Sequence, residues 1–444
     1  MKHATMRSGR VRSTGLLGAF RHLSGDGAPR RILVPLLVVA AIASPGALPG
    51  AMVLHGAAVP VRSSEVGPSG SLLVNGAPTV VASLSKFAGW AGEGWLRDRS
   101  DYQRRLREAT SAGFNAVGMR DPPPTFWTTW HLWTIASVYE LAGNREVFNP
   151  ERIRRLSRDP SVLLWTVHGE FHGRDSNYAA WAATRDQTKG VDPHRVVGDL
   201  VMYQAGYPSA TLNPYTLMDY PLPEFTLSEF APKTQVAAMI SEAQYAASVR
   251  EHGHRFVNAA SVTVVSEFAP YINGGRPRIP SRSEIFRAFL LLAALNYKCF
   301  DVLWGANQII APTPAERPRL ERTLEELRPA IDRAWSDTLD VFRLLMGPLY
   351  PVIVDPAPFR RIVAATPPLQ ERPDGYLGLY AAEKRVGGVT YVIAVNTQET
   401  DMTISLPVGG ASASELPSGE PVPAPGGVIR AILPGSSARV YVVR

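Results

Sequence analysis

From residue 72 to about residue 350, strand-like and helix-like hydrophobic patterns take turns along the chain. Short apolar or β-branched runs at residues 80–84, 114–119, 131–139, 161–167, 195–203, 215–219, 255–260 and 300–304 predict strands. Between them lie helix patterns at 99–112, 176–190, 233–252 and 282–298. One more helix face is marked by Leu320, Leu324, Leu327, Ile331, Leu339, Phe342 and Leu345. This alternation implies parallel βαβ units. About eight strands over roughly 270 residues is the size of a closed (β/α)8 barrel. An open doubly wound sheet is the competing architecture, but no G-x-G-x-x-G follows a first strand here. Residues 121–130, between strands two and three, are too short and proline-rich for an ordinary helix, so one crossover is predicted to be degenerate.

After Pro351 the texture changes. Short strands at 391–395, 402–406 and 440–443 are joined by Gly-, Pro- and Ser-rich connections, and Met402, Ile404 and Leu406 alternate with polar neighbours. The predicted class is therefore α/β: a (β/α)8 TIM barrel over residues 72–350, then a small C-terminal antiparallel β-sandwich domain over 351–444. Residues 61–71 read as a polar linker.

Charge modifies this picture at one end only. The formal net charge is +7, and Lys and Arg crowd the first 31 residues against a single acid, Asp26. Arg30 and Arg31 precede an uncharged run at 32–43, and Ala41-Ile42-Ala43 supplies a small-x-small pattern. Residues 1–60 are thus expected to be an export signal or an uncleaved N-terminal membrane anchor, with the body outside the cytoplasm. The folded part has no basic run with interleaved aromatics, which argues against a nucleic-acid partner. The one cysteine, Cys299, excludes an intrachain disulfide framework, and its apolar setting predicts a buried core thiol.

Chemistry in a parallel barrel gathers where strands end. Polar and aromatic residues expected at that rim are Trp90, Asp121, Glu140, His168, Glu170, Tyr203, Asp219, Tyr220 and Trp304. Carboxylates among aromatics suit a carbohydrate, because ring faces stack on sugar C–H surfaces and acids act on the glycosidic oxygen. Trp95, Trp127 and Trp130 are further candidate platforms, although Trp127 and Trp130 also suit packing beneath a loop.

The stretch Arg158-Asp159-Pro160-Ser161-Val162-Leu163-Leu164-Trp165-Thr166-Val167-His168-Gly169-Glu170 resembles the fourth-strand motif of the large clan of (β/α)8 glycoside hydrolases. Weaker likenesses lie at Leu73-Val74-Asn75-Gly76-Ala77-Pro78, at 106–118 and at 280–304. The resemblance implies that Glu170 is the general acid/base, raised in pKa by burial at a barrel mouth. The clan usually has Asn before this Glu, where Gly169 stands here, and that puts one substrate contact in doubt. The clan's nucleophile belongs at the end of strand seven. Read as residues 255–260, that strand offers no acid, so Glu267 is taken as a nucleophile that folds back. Asp219, Asp121 or Glu140 would instead serve as base in an inverting reaction. A barrel that only binds glycan is a further alternative. His168, Glu170 and His172, at i, i+2 and i+4, are also spaced to hold a metal from one strand face. The leading expectation is an extracytoplasmic O-glycosidase with a carbohydrate substrate, no cofactor and no metal. Catalysis falls to Glu170 and Glu267, and substrate binding to Trp90, Asp121, His168, Tyr203, Asp219, Tyr220 and Trp304.

Overall fold

A computed structural model describes residues 58–444 apart from 86–93, 120–121, 124, 143–144, 168–177, 203–213, 373–374 and 411. Eight parallel strands close into a barrel: Val81–Ser85, Ala116–Met119, Trp133–Ser137, Val162–Thr166, Val197–Met202, Tyr220–Thr226, Ala259–Val265 and Cys299–Trp304. They are barrel strands one to eight in chain order. Strand eight pairs with strand one, Cys299 opposite Val81, and strand four with strand five, Trp165 opposite Val197, so no edge is left open.

Local sequence sets where the outer helices start. Asp98 caps Arg99–Ser111 by accepting from the backbone N–H groups of Ser100 and Asp101. Asn149 caps Pro150–Leu156, with proline in the first turn. Ser281 and Glu284 form a reciprocal capping box on Arg282–Ala294. Among its described residues, the crossover between strands two and three holds one five-residue helix, Phe126–Trp130. Helix Arg317–Met346 buries Leu320, Leu324, Ile331, Trp335, Phe342 and Leu345 along one stripe.

Two strands differ from the sequence expectation. Strand six begins at Tyr220 rather than ending at Asp219, because residues 214–217 form a helical turn and Pro221 and Pro223 mask the β pattern that follows. Strand seven runs from Ala259 to Val265, because Ser261 and Thr263 point into the barrel and break the apolar run. The 61–71 stretch is not a free linker. Ser64–Val66 pairs with Leu72–Val74, which pairs with Ala77–Thr79, and this small sheet seals the N-terminal end of the barrel. Ser64 Oγ donates to the carbonyl of Leu163 (2.6 Å), and the Asn258 N–H donates to the carbonyl of Gly70 (2.7 Å).

The C-terminal region is an antiparallel β domain. Six strands pair in one sheet, with Leu379–Val386, Val389–Asn396 and Ala438–Val443 adjacent at its centre. One face, with Ile393, Val395 and Val440, joins the main core around the barrel helices. The other packs Leu379, Ala381, Val392 and Tyr441 against a two-stranded ribbon, Met402–Pro407 with Val428–Leu433. Residues 1–57, where export is expected, lie outside the described residues. Among those described, no helix is long and apolar enough to cross a membrane.

Candidate active site at the C-terminal mouth of the barrel

The barrel interior changes character along its axis. Interior positions recur every second residue on each strand. Near the strand starts they are Val81, Ala259, Cys299, Tyr220 and Leu222, all buried and packed together under the N-terminal sheet. Further along they become Ser83, Ser85, Ser261, Thr263, Asp301 and Glu224. Asp301 accepts hydrogen bonds from the hydroxyls of Ser83 (2.6 Å), Ser85 (2.8 Å) and Ser261 (2.9 Å). Burial pushes the Asp301 carboxyl above its usual range, and the three serine donors pull it part of the way back. The Thr263 hydroxyl donates to Glu224, a half-buried carboxylate in the second half of strand six.

Strand seven then delivers Glu267 to the rim, two residues past Val265. A register shift between Thr263 and Val265 bends the strand just before it. Two neighbours hold the chain here. On the strand-eight side the Phe268 N–H donates to the Gln308 carbonyl (3.0 Å), and the Ile310 N–H donates to the Phe268 carbonyl (2.9 Å). Gly305 leaves room for this approach, since a Cβ there would lie 2.6 Å from Glu267 N and 3.0 Å from Glu267 Oε2. On the strand-six side, Ser266 is bonded to Ser228 and Glu229. Glu267 is half-buried, and the Tyr271 hydroxyl donates to its Oε1 at 3.2 Å. Tyr271 is itself 69% exposed, an aromatic face beside a rim carboxylate.

Glu267 is therefore the sequence-predicted site residue that the described structure places at the mouth. It needs no folding back, because strand seven ends later than the apolar run does. Three other expectations are corrected. Asp219 precedes strand six, at the opposite end of the barrel, where it pairs with Lys189 (2.6 Å) and accepts from the Val197 N–H (3.1 Å). Tyr220 is buried in the apolar floor, and burial raises its phenol well above the usual range. Trp304 ends strand eight but faces outward, fully buried between Trp95 (ring centroids 5.3 Å apart) and Trp335 (5.1 Å). Trp95 is buried in the same cluster. Trp127 and Trp130 sit on the short helix after strand two, partly buried against core clusters. Glu140 lies in a hairpin strand, Tyr139–Ala142, after strand three. Trp90, Asp121, His168, Glu170, His172 and Tyr203 lie outside the described residues, Glu170 four positions past the end of strand four at Thr166. Among the described residues no group of three His, Cys, Asp or Glu is placed to hold a metal ion.

Sequence reasoning missed Glu224 and Tyr271. The alternation Tyr220, Leu222, Glu224 carries the first, hidden by the intervening prolines. The second follows Glu267 by four residues.

No family model and no curated protein matches the sequence. Solved structures do match by shape. The crystal structure of AmyP in complex with maltose is 8% identical, with 82% of this chain and 96% of that chain covered and a TM-score of 0.50. A glycoside hydrolase family 5 protein from Bacteroides vulgatus ATCC 8482 is 12% identical, with 86% and 93% covered and a TM-score of 0.51. The chain thus has a divergent form of the (β/α)8 barrel fold seen in glycoside hydrolases, with a C-terminal β domain.

Proposed function

We propose that this protein is an extracytoplasmic glycoside hydrolase working by double displacement. The observation that carries the reading is the position of Glu267, on the rim directly after strand seven of a closed parallel barrel. Glu267 attacks the anomeric carbon while Glu170 protonates the departing glycosidic oxygen. Glu170 then takes a proton from the water that hydrolyses the glycosyl ester, which regenerates both carboxyls. Glu224 and the exposed ring of Tyr271 flank the sugar. The polar lining of the mouth suits hydroxyl groups, and likeness to sugar-processing barrels agrees with a carbohydrate substrate. Export rests on the basic start of the chain and the uncharged run at 32–43. A barrel that only binds glycan is the alternative, and measurable turnover would exclude it.

The test is hydrolysis of a panel of aryl glycosides of both anomeric series and of polysaccharides. On any responsive substrate, Glu267→Gln and Glu170→Gln are each expected to lower kcat by at least about 10²-fold. Wild-type turnover that survives both substitutions would remove the assignment.

A further inference from the structure

We propose that Ser228 and Ser266 are positioning residues that fix the direction of attack by Glu267; this inference rests on the reading of Glu267 as nucleophile. Both serines are fully buried, in a part of the rim where a loop would ordinarily be free to move. Their hydrogen bonds form a directed chain. The Ser266 N–H donates to Ser228 Oγ (2.9 Å), the Ser228 hydroxyl donates to Ser266 Oγ (2.8 Å), and the Ser266 hydroxyl donates to Glu229 Oε1 (2.5 Å). Each hydroxyl both accepts and donates, so rotating either one breaks two bonds.

This chain ties the residue before Glu267 to the loop after strand six. That loop is anchored in turn. Arg278 donates to the carbonyls of Leu227 and Phe230 and pairs with Glu284 (2.7 Å), the capping-box carboxylate of helix Arg282–Ala294. Glu284 is held below the usual carboxylate range although burial opposes this, by the Ser281 N–H and by Arg278. On the other side, the backbone of Phe268 is bonded to Gln308 and Ile310, and Gly305 lets Glu267 approach closely, so residues 266–268 lie against the segment that follows strand eight. The backbone at 266–268 is thus held between two rim segments, the helix-anchored loop after strand six and the turn after strand eight. A nucleophile needs this kind of fixed approach, and a displacement of about 1 Å can cost 10²-fold in rate.

Trapping with 2,4-dinitrophenyl 2-deoxy-2-fluoroglycosides of glucose, galactose and mannose isolates this step. The bond from the anomeric carbon to the phenolic oxygen breaks, a bond to a Glu267 oxygen forms, and dinitrophenolate leaves without needing a proton. The rate is read from dinitrophenolate release and the labelled peptide by mass spectrometry. Ser228→Ala and Ser266→Ala are expected to be labelled roughly ten- to hundredfold more slowly at saturating probe, with half-saturation within about twofold of wild type. Ser64→Ala is the matched control: it deletes a buried strand-bridging serine at the other end of the barrel and is expected to be labelled at the wild-type rate with a comparable change in Tm. Wild-type labelling rates in both rim variants, or equal slowing in Ser64→Ala, would overturn the proposal. If the wild-type protein itself is not labelled at Glu267, the functional reading fails first, and that result is visible before any variant is made.

Discussion

The two ends of the barrel use the same alternating geometry for opposite purposes. At the strand starts the interior is sealed: Trp133, Tyr220, Leu222, Cys299 and the small N-terminal sheet form one apolar cluster, and the Trp133 indole N–H donates to the Val59 carbonyl (2.7 Å). At the strand ends, the interior carries Asp301 with three serines, Thr263 bonded to Glu224, and Glu267 at the rim. Burying carboxylates costs stability unless donors surround them. The polar end is where the proposed chemistry would take place, and the apolar end closes the barrel.

Substitutions at each end sharpen that contrast. The largest effect is expected from Glu267→Gln, which should lower turnover by at least about 10²-fold and leave Tm nearly unchanged. At the sealed end the pattern reverses. Trp133→Ala should cost about 3–5 kcal/mol in denaturant unfolding, while activity per folded molecule is retained. Equal losses of activity from both would break the comparison.

Protonation gives a smaller contrast of opposite sign. Asp301 has its carboxyl raised above the ordinary 3.8, so the fold holds that proton more tightly than the unfolded chain does. The associated stability is full below pH 3.8 and is lost as pH climbs through the raised value. Asp301→Asn should therefore gain Tm relative to wild type as pH rises. Lys298, just before strand eight, donates to the carbonyls of Ile353 and Asp355 (2.8 Å each), and burial with the nearby Lys384 pushes its amine down to about 7. The fold binds that proton less tightly, so the stability lost on burying Lys298 is regained as pH rises from about 7 toward 10.5. The advantage of Lys298→Met over wild type should thus shrink across that range. Parallel trends in the two variants would contradict the assignment. The smallest effect concerns Cys299, buried in the sealed floor with its thiol pushed up to about 11. Iodoacetamide should modify it only on unfolding.

The barrel was legible because buried parallel strands and amphipathic helices follow different periods. The mouth was harder to read, because a polar barrel interior disrupts the apolar run that announces a strand. Ser261 and Thr263 make strand seven read shorter than it is, which places Glu267 in a loop by pattern alone. Pro221 and Pro223 hid strand six, moved Asp219 and Tyr220 to the wrong end, and concealed Glu224. Trp304 was placed by its position at a strand end, but which face it takes depends on the alternation from Cys299 and Asp301, which sends it outward to Trp95 and Trp335. The polar sequence at 61–71 hides a strand: Ser64–Val66 pairs locally with Leu72–Val74, but the contacts that hold this region on the barrel, at Leu163, His194 and Asn258, are distant in the chain.

Chemical rescue tests the central claim most directly. Glu267→Ala, assayed on an activated aryl glycoside with and without sodium azide, should be inactive alone and regain turnover with azide. The product should be a glycosyl azide of inverted configuration, because the small anion fills the place of the missing carboxylate. Hydrolysis by Glu267→Ala at the wild-type rate without azide would contradict the account.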